Sequence, residues 1–414
     1  MRYLFFFLLW MFCTGTLKSQ NYTRVVLKEN REKLYQNLVK NSINTNLSQP
    51  LSAATEDAWE SALIAIELLQ YKSPFVNLKI AEAAKQLQTM QPALAEVYLR
   101  VLCGLYNFSF VAEVENYATS TKDSKLFALS IHYLRNADMA LKNAGTIDSL
   151  VQNAIEKTPN DLIFMVQKER HTIPYPTKQL KLLLQKDFLA QNIVVYSFQR
   201  KNRNQPGLAI VRDASGNFIK NDNDSLFYIP QLARSVSNIP WYISNGNTPQ
   251  GIYRMRGFEV SKTSFIGPTP NVQLNLPFEF KAAHFYKNDA LPDTVWSLAD
   301  YRNLLPPNLQ NYEPLYQAYT AGHLGRTGII AHGSTVNPNF YQSKLFFPIV
   351  PTQGCLAAKE IWDEKTGHVI ESDQQKLVTA LLQAGGANGY YIVVELNDAN
   401  TPVTPAEITA LLKN

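Results

Sequence analysis

Near Pro174 and Pro176 the periodicity of the chain changes, and that change constrains the fold more than any other feature of the sequence. From about Thr23 to Lys168 apolar residues recur at helical spacing with almost no strand signal. In the clearest stretch Leu94, Val97, Tyr98, Val101, Leu102 and Leu105 paint one face of a helix opened by Pro92, and Cys103 sits one step off that face. A second helix carries Trp59, Leu63, Ile66 and Leu69 behind a Thr55 cap with Glu56 and Asp57 in its first turn. Val25 to Val39, Leu78 to Gln88, Ser124 to Leu134 and Ile147 to Glu156 fit further helices. No residue-level repeat emerges, so a plain array of antiparallel helices is expected over 20–175.

Beyond the prolines, residues 192–196 (NIVVY) and 208–212 (LAIVR) are β-branched runs, and Asp213 to Asn217 reads as a turn leading into Phe218 and Ile219. Gly251 to Met255, Phe278 to Phe285, Thr327 to Ala331 and Tyr390 to Leu396 are further strand candidates. Helices return late: Ser372 to Gln375 is a capping box opening Leu377 to Leu382, closed by Gly385 and Gly386. Thr404-Pro-Ala-Glu407 opens a last helix within 401–414. The expected fold class is therefore α+β multidomain, an N-terminal all-α helical array followed by a β-rich domain.

The first 19 residues are expected to be a signal peptide. Arg2 supplies the positive start, Leu4 to Cys13 an apolar run too short to span a bilayer, and Thr14 to Ser19 a small polar run, with cleavage before Gln20. A lipoprotein would be acylated at Cys13, but the bulky Trp10, Met11 and Phe12 stand where small residues belong. No apolar run of transmembrane length follows Ser19. Removing Arg2 and Lys18 with no acid lowers the formal charge from +5 to +3. That is too weak to imply a nucleic-acid partner. A content of 46% hydrophobic and 18% charged residues argues for buried cores and against a disordered tail protein.

Six histidines and the two mature cysteines, Cys103 and Cys355, are the candidates for chemistry. His132, His171 and His284 fit structural roles in a helix, a loop and a strand end. His332 closes the apolar run Thr327 to Ala331 and is followed by Gly333, an arrangement that presents an imidazole from a rigid strand end. Cys355 stands in Thr352-Gln-Gly-Cys-Leu356, before the helix-like Ala357 to Trp362. A helix N-terminus there would favour the thiolate, and the N–H groups of Gly354 and Cys355 could hold an oxyanion. A buried free cysteine of no catalytic use is the plainer reading of the same residue. A zinc site built from His323, His332 and Cys355 would match no metal-ligand spacing, and no cofactor is implied.

Three segments in order, Gly246-Asn-Thr-Pro-Gln-Gly-Ile-Tyr253, Ile330-Ala-His-Gly-Ser334 and Thr352-Gln-Gly-Cys-Leu356, resemble the motifs of the L,D-transpeptidase (YkuD-type) catalytic domain. The resemblance covers roughly 190–400. It implies a β-rich exported cysteine enzyme of the periplasm or cell envelope that acts on peptidoglycan stem peptides. By the same resemblance Cys355 is the nucleophile and His332 the base, Thr352, Gly354 and Gly333 shape the oxyanion loop, and His323, Arg326 and Gln353 face the substrate. Gln353 stands where most members have His, and Ala357 replaces an Arg or Asn. A divergent enzyme fits these departures, and so does a catalytically inactive cell-wall binding protein whose helical domain recruits a protein partner.

Overall fold

A computed structural model describes residues 21–141, 144–169, 173–291 and 295–413. The expected signal peptide, and with it Cys13, lies outside the described residues, as does His171. No helix among those described is long and apolar enough to cross a membrane.

The first region is mostly helical. Its principal helices are Lys28–Asn37, Glu56–Leu69, Pro74–Ala84, Pro92–Leu105, Val111–Ser120, Ser124–Leu141, Ala144–Lys157 and Asp161–Lys168. Pro92 occupies the first turn of its helix, where the missing N–H costs nothing, and Leu94, Val97, Tyr98, Val101 and Leu102 are buried along the expected stripe. Thr55 makes no side-chain cap; its hydroxyl instead donates to Pro50 O at 2.7 Å. The helix expected from Leu78 begins earlier, because Ser73 accepts from Val76 N–H and Pro74 follows it. Inside the array Arg100 pairs with Glu67 at 2.5 Å, both nearly buried.

The second region is β-rich and nearly barrel-shaped. Its strands are β1 (Ile193–Arg200), β2 (Gly207–Arg212), β3 (Ile229–Gln231), β4 (Gly251–Glu259), β5 (Asn271–Asn275), β6 (Ile330–His332), β7 (Leu356–Ala357), β8 (Glu360–Trp362), β9 (Val369–Ser372) and β10 (Gly389–Asn397). The main sheet runs β3-β2-β1-β10-β4-β5-β6-β7, with β1/β10 and β6/β7 parallel and the other pairs antiparallel. Its edges then meet: Leu232, just past β3, exchanges two 2.8 Å backbone hydrogen bonds with Ala357 of β7. Closure removes the open edges that would otherwise invite pairing with other chains.

Both sheet faces are covered. Val195, Val211, Tyr253, Val272, Ala331, Leu356 and Tyr391 pack in one cluster with Leu377 and Leu381 of the helix Asp373–Gln383. Val194, Tyr196, Phe198, Ile210, Ile392 and Val394 pack on the opposite face against Ile408 of Pro405–Lys413. Burial on both faces turns β1 into a continuous apolar run rather than an alternating one. The expected caps form: Ser372 Oγ accepts from Gln375 N–H at 2.8 Å, and Thr404 and Glu407 bond reciprocally.

Three sequence expectations need correction here. Phe278 to Phe285 is not a strand: Phe278 takes a left-handed backbone and Ala282–Tyr286 coils as a helix, while the strand β5 lies earlier, where only Val272 and Leu274 face the core. The run Thr327 to Ala331 shortens to Ile330–His332, because Gly328 adopts positive φ and interrupts the pleat. Ala357 to Trp362 is not helical, since its N–H and C=O groups are claimed by Leu232, His332 and β9. The two regions also interlock. Ile239, Tyr242 and Ile243, from the loop after β3, sit in the helical core, and Asn21 to Thr23 pair with the β8–β9 hairpin.

Candidate functional site

The three segments that carried the motif resemblance meet at the seam of the sheet. β6 and β7 lie parallel with His332 opposite Ala357, so Cys355 stands two positions from that partner at the entry to β7. Thr352 staples the turn before it, its Oγ1 accepting from Gly354 N–H at 3.1 Å and donating to Cys355 O at 2.8 Å. Thr248, from the first motif, donates to Gly354 O at 2.9 Å. Gly354 has a φ of +101°, and a Cβ there would collide with the Arg326 guanidinium and Gly246 O. Only glycine serves at this point.

Cys355 is half-buried, and its Sγ lies 3.7 Å from Gly328 O. Because a strand rather than a helix follows, no helix dipole acts on the sulfur. Burial pushes the thiol above its ordinary range, while the Ile330 N–H and the nearby Arg326 pull it down only in part. The depressed thiol expected from the sequence is thus replaced by a raised one. The Gly354 N–H expected to serve an oxyanion is occupied by Thr352 Oγ1.

His332 is buried, and its Nδ1 lies 2.5 Å from Gly333 O. Burial holds the imidazole below its usual range, so it is neutral at pH 7. A carbonyl accepts only, so Nδ1 carries the proton and Nε2 is left as the basic atom. Among the described residues the imidazole and the Cys355 thiol make no hydrogen bond with each other.

The residues expected to face substrate fall in three different places. Arg326 is only 4% exposed and donates to Trp241 O, to Asn247 O at 2.7 Å and to Gly246 O at 2.5 Å. Its guanidinium therefore pins the loop below Gly354 and supplies positive charge near the sulfur rather than projecting toward solvent. Desolvation lowers its pKa to about 10. His323 is exposed, paired with Asp161 of the helical region at 3.2 Å and resting on the Phe278 ring. Gln353 is exposed on the turn. Cys103 is buried and free in its helix, with its thiol pushed up to about 12.

Two polar residues of the site were not singled out from the sequence. Thr248 was legible only as part of a motif. Glu360 is a carboxylate buried against Gly333, and its one sequence signal is an acid inside the apolar run Ala357 to Trp362. Among the described residues no three His, Cys, Asp or Glu side chains converge as a metal would require. A groove of about 650 Å³, lined by Tyr35, Tyr71, Phe265, Val336 and Phe340 among others, runs between the first helix and the loop after His332. Comparison of the chain with known protein families, with curated proteins and with solved structures found no match.

Proposed function

We propose that the protein is an exported cysteine enzyme of the periplasm or cell envelope that acts on peptidoglycan peptide stems, as an L,D-transpeptidase or L,D-carboxypeptidase. The observation that supports this reading is that His332, oriented through Nδ1 by Gly333 O, and Cys355, at the entry to the strand paired parallel with that of His332, border the same seam. The thiol, raised, and the imidazole, lowered, both favour their neutral forms at rest. His332 Nε2 then acts as general base on the bound substrate rather than as half of a preformed ion pair.

In this reaction Nε2 takes the thiol proton as sulfur attacks the carbonyl carbon that follows an L-centre of a tetrapeptide stem. The tetrahedral intermediate collapses to a thioester, and the departing amine takes the proton back from Nε2. An acceptor amine attacking the thioester restores the thiol and forms an amide crosslink; water in its place gives a carboxylate. Arg326, close enough to stabilise negative charge on sulfur, assists the first step.

Intact mass after incubation with a purified tetrapeptide tests the proposal. The expected result is an adduct of the stem minus its terminal D-residue in the wild type and none in Cys355→Ala or His332→Ala; an adduct that survives Cys355→Ala overturns the assignment. A second reading, a non-catalytic cell-wall binding protein whose helices recruit a protein partner, is favoured by one observation: the thiol bonds to Gly328 O and not to the imidazole. Stem-peptide binding without any adduct in the wild type would decide for it.

A further inference from the structure

The segment from His332 onward is gripped by residues 358–362, from the end of β7 into β8. Ala358 N–H donates to His332 O at 2.9 Å, and Trp362 Nε1 donates to Ser334 O at 2.9 Å. Between them in sequence lies Glu360, 5% exposed, whose carboxyl group fills the space that a Cβ on Gly333 would need. Its Oε1 accepts from Ser372 Oγ at 2.7 Å. The Thr269 hydroxyl and the Ser334 N–H act on the same carboxyl, while Oε2 closes no bond of full hydrogen-bond geometry. Residues 358, 360 and 362 thus hold His332, Gly333 and Ser334 in turn.

We propose that Glu360 is the positioning residue of His332: by packing on the Cα of Gly333 beside the Ser334 N–H, it sets the Gly333 carbonyl that holds His332 Nδ1–H. The inference rests on the reading of His332 as the base, and it explains two otherwise unaccounted features. One is a glycine after the histidine, since any side chain would displace the carboxyl. The other is a buried acid with no ion-pair partner among the described residues. The charged groups around it are engaged elsewhere: Lys359 with Glu371 at 2.6 Å and Asp373 at 3.8 Å, and Lys376 with the same two acids. From the turn after β6 it meets Gly333 and the Ser334 N–H, and from the loop before β5 the uncharged Thr269.

Burial raises the Glu360 carboxyl to about 7. Of the groups around it, Glu371 and His332 lie below their usual ranges, and Lys376 and the Cys355 thiol lie above theirs. The Glu360 carboxyl therefore changes charge near neutral pH.

The test is proton NMR of the full chain, with the His332 Nδ1–H resonance assigned by its loss in His332→Ala. In the wild type it is expected downfield, protected from exchange, and shifting with pH around an inflection near 7. Glu360→Gln keeps the shape and an acceptor and should retain the resonance without the inflection; Glu360→Ala should lose its protection. Tetrapeptide acylation, followed by mass, should fall on the order of tenfold in Glu360→Ala and be largely rescued by Glu360→Gln. An inflection that persists in Glu360→Gln overturns the proposal. So does a fully protected resonance in a folded Glu360→Ala. Should the alanine variant not fold, the glutamine arm decides alone. If the resonance behaves as expected but the wild type forms no adduct, the enzymatic reading fails while the positioning stands.

Discussion

The helical region and the β-rich region solve burial in different ways, and the difference explains how the site is held. Helices such as Pro92–Leu105 gather their buried stripe from residues three and four apart, so each element is made locally and then packed. The seam at Cys355 is assembled instead from segments near residues 246, 330 and 355, and its strands β6 and β7 are only three and two residues long. Elements that short carry little stability of their own. They are buttressed from outside: the loop whose carbonyls receive Arg326 is anchored by Ile239, Tyr242 and Ile243 inside the helical core. Ser237 of that loop also donates to Glu67, the partner of Arg100. The helical region is thus a foundation for the site as well as a neighbour of it.

Five substitutions test this contrast. Glu67→Ala should have the largest effect, since it leaves buried Arg100 with only the more distant Glu96, at 3.7 Å, and Ser237 without its acceptor. We expect a loss of about 3–5 kcal/mol in urea unfolding. A single shared transition supports one interlocked structure, and two separate transitions would break the comparison.

Ile243→Ala and Leu396→Ala each truncate a buried aliphatic side chain and should each cost about 3 kcal/mol. Ile243 belongs to the helical core and Leu396 to the far face of the sheet. Only Ile243→Ala is expected to change the alkylation rate of Cys355, measured with iodoacetamide under conditions where both variants are folded. Equal effects on Cys355 would remove the special role given to the loop.

Glu360→Gln should show an effect that depends on pH. The carboxyl titrates near 7 when folded against an ordinary 4.5, so the folded state binds the proton more tightly. Its contribution is fully present below pH 4.5 and is lost as pH rises through 7. The glutamine variant, which cannot ionise, should therefore gain on the wild type across that window, by about 2–3 kcal/mol above pH 7. Thermal melts at pH 5 and pH 8 measure this; a constant difference would contradict the raised carboxyl.

His323→Ala should do least. Its pair with Asp161 is exposed, and a change below about 1 kcal/mol is expected, with Cys355 alkylation left unaltered. A large change in alkylation would move the base from His332 to this loop.

What could be read from the sequence follows the range of the interactions. The division near Pro174, the stripe from Leu94, the buried β1 and β10 runs and the Ser372 and Thr404 caps all depend on neighbours within a turn or a strand, and all appear in the fold. The candidate pair His332 and Cys355 was legible through glycine-marked motifs, because Gly354 must take a backbone conformation that other residues resist. Tertiary structure alone decided the rest. Ala357 to Trp362 holds too few residues to show any period, so its state was set by partners at Leu232, His332 and β9 that are remote in the chain. Arg326 became a buried clamp because carbonyls of the 241–247 loop converge on it, and Glu360 came to lie on Gly333 because β8 passes beneath the end of β6. Spacing along a chain encodes which face a residue shows, whereas the groups waiting opposite that face come from long-range closure of the sheet.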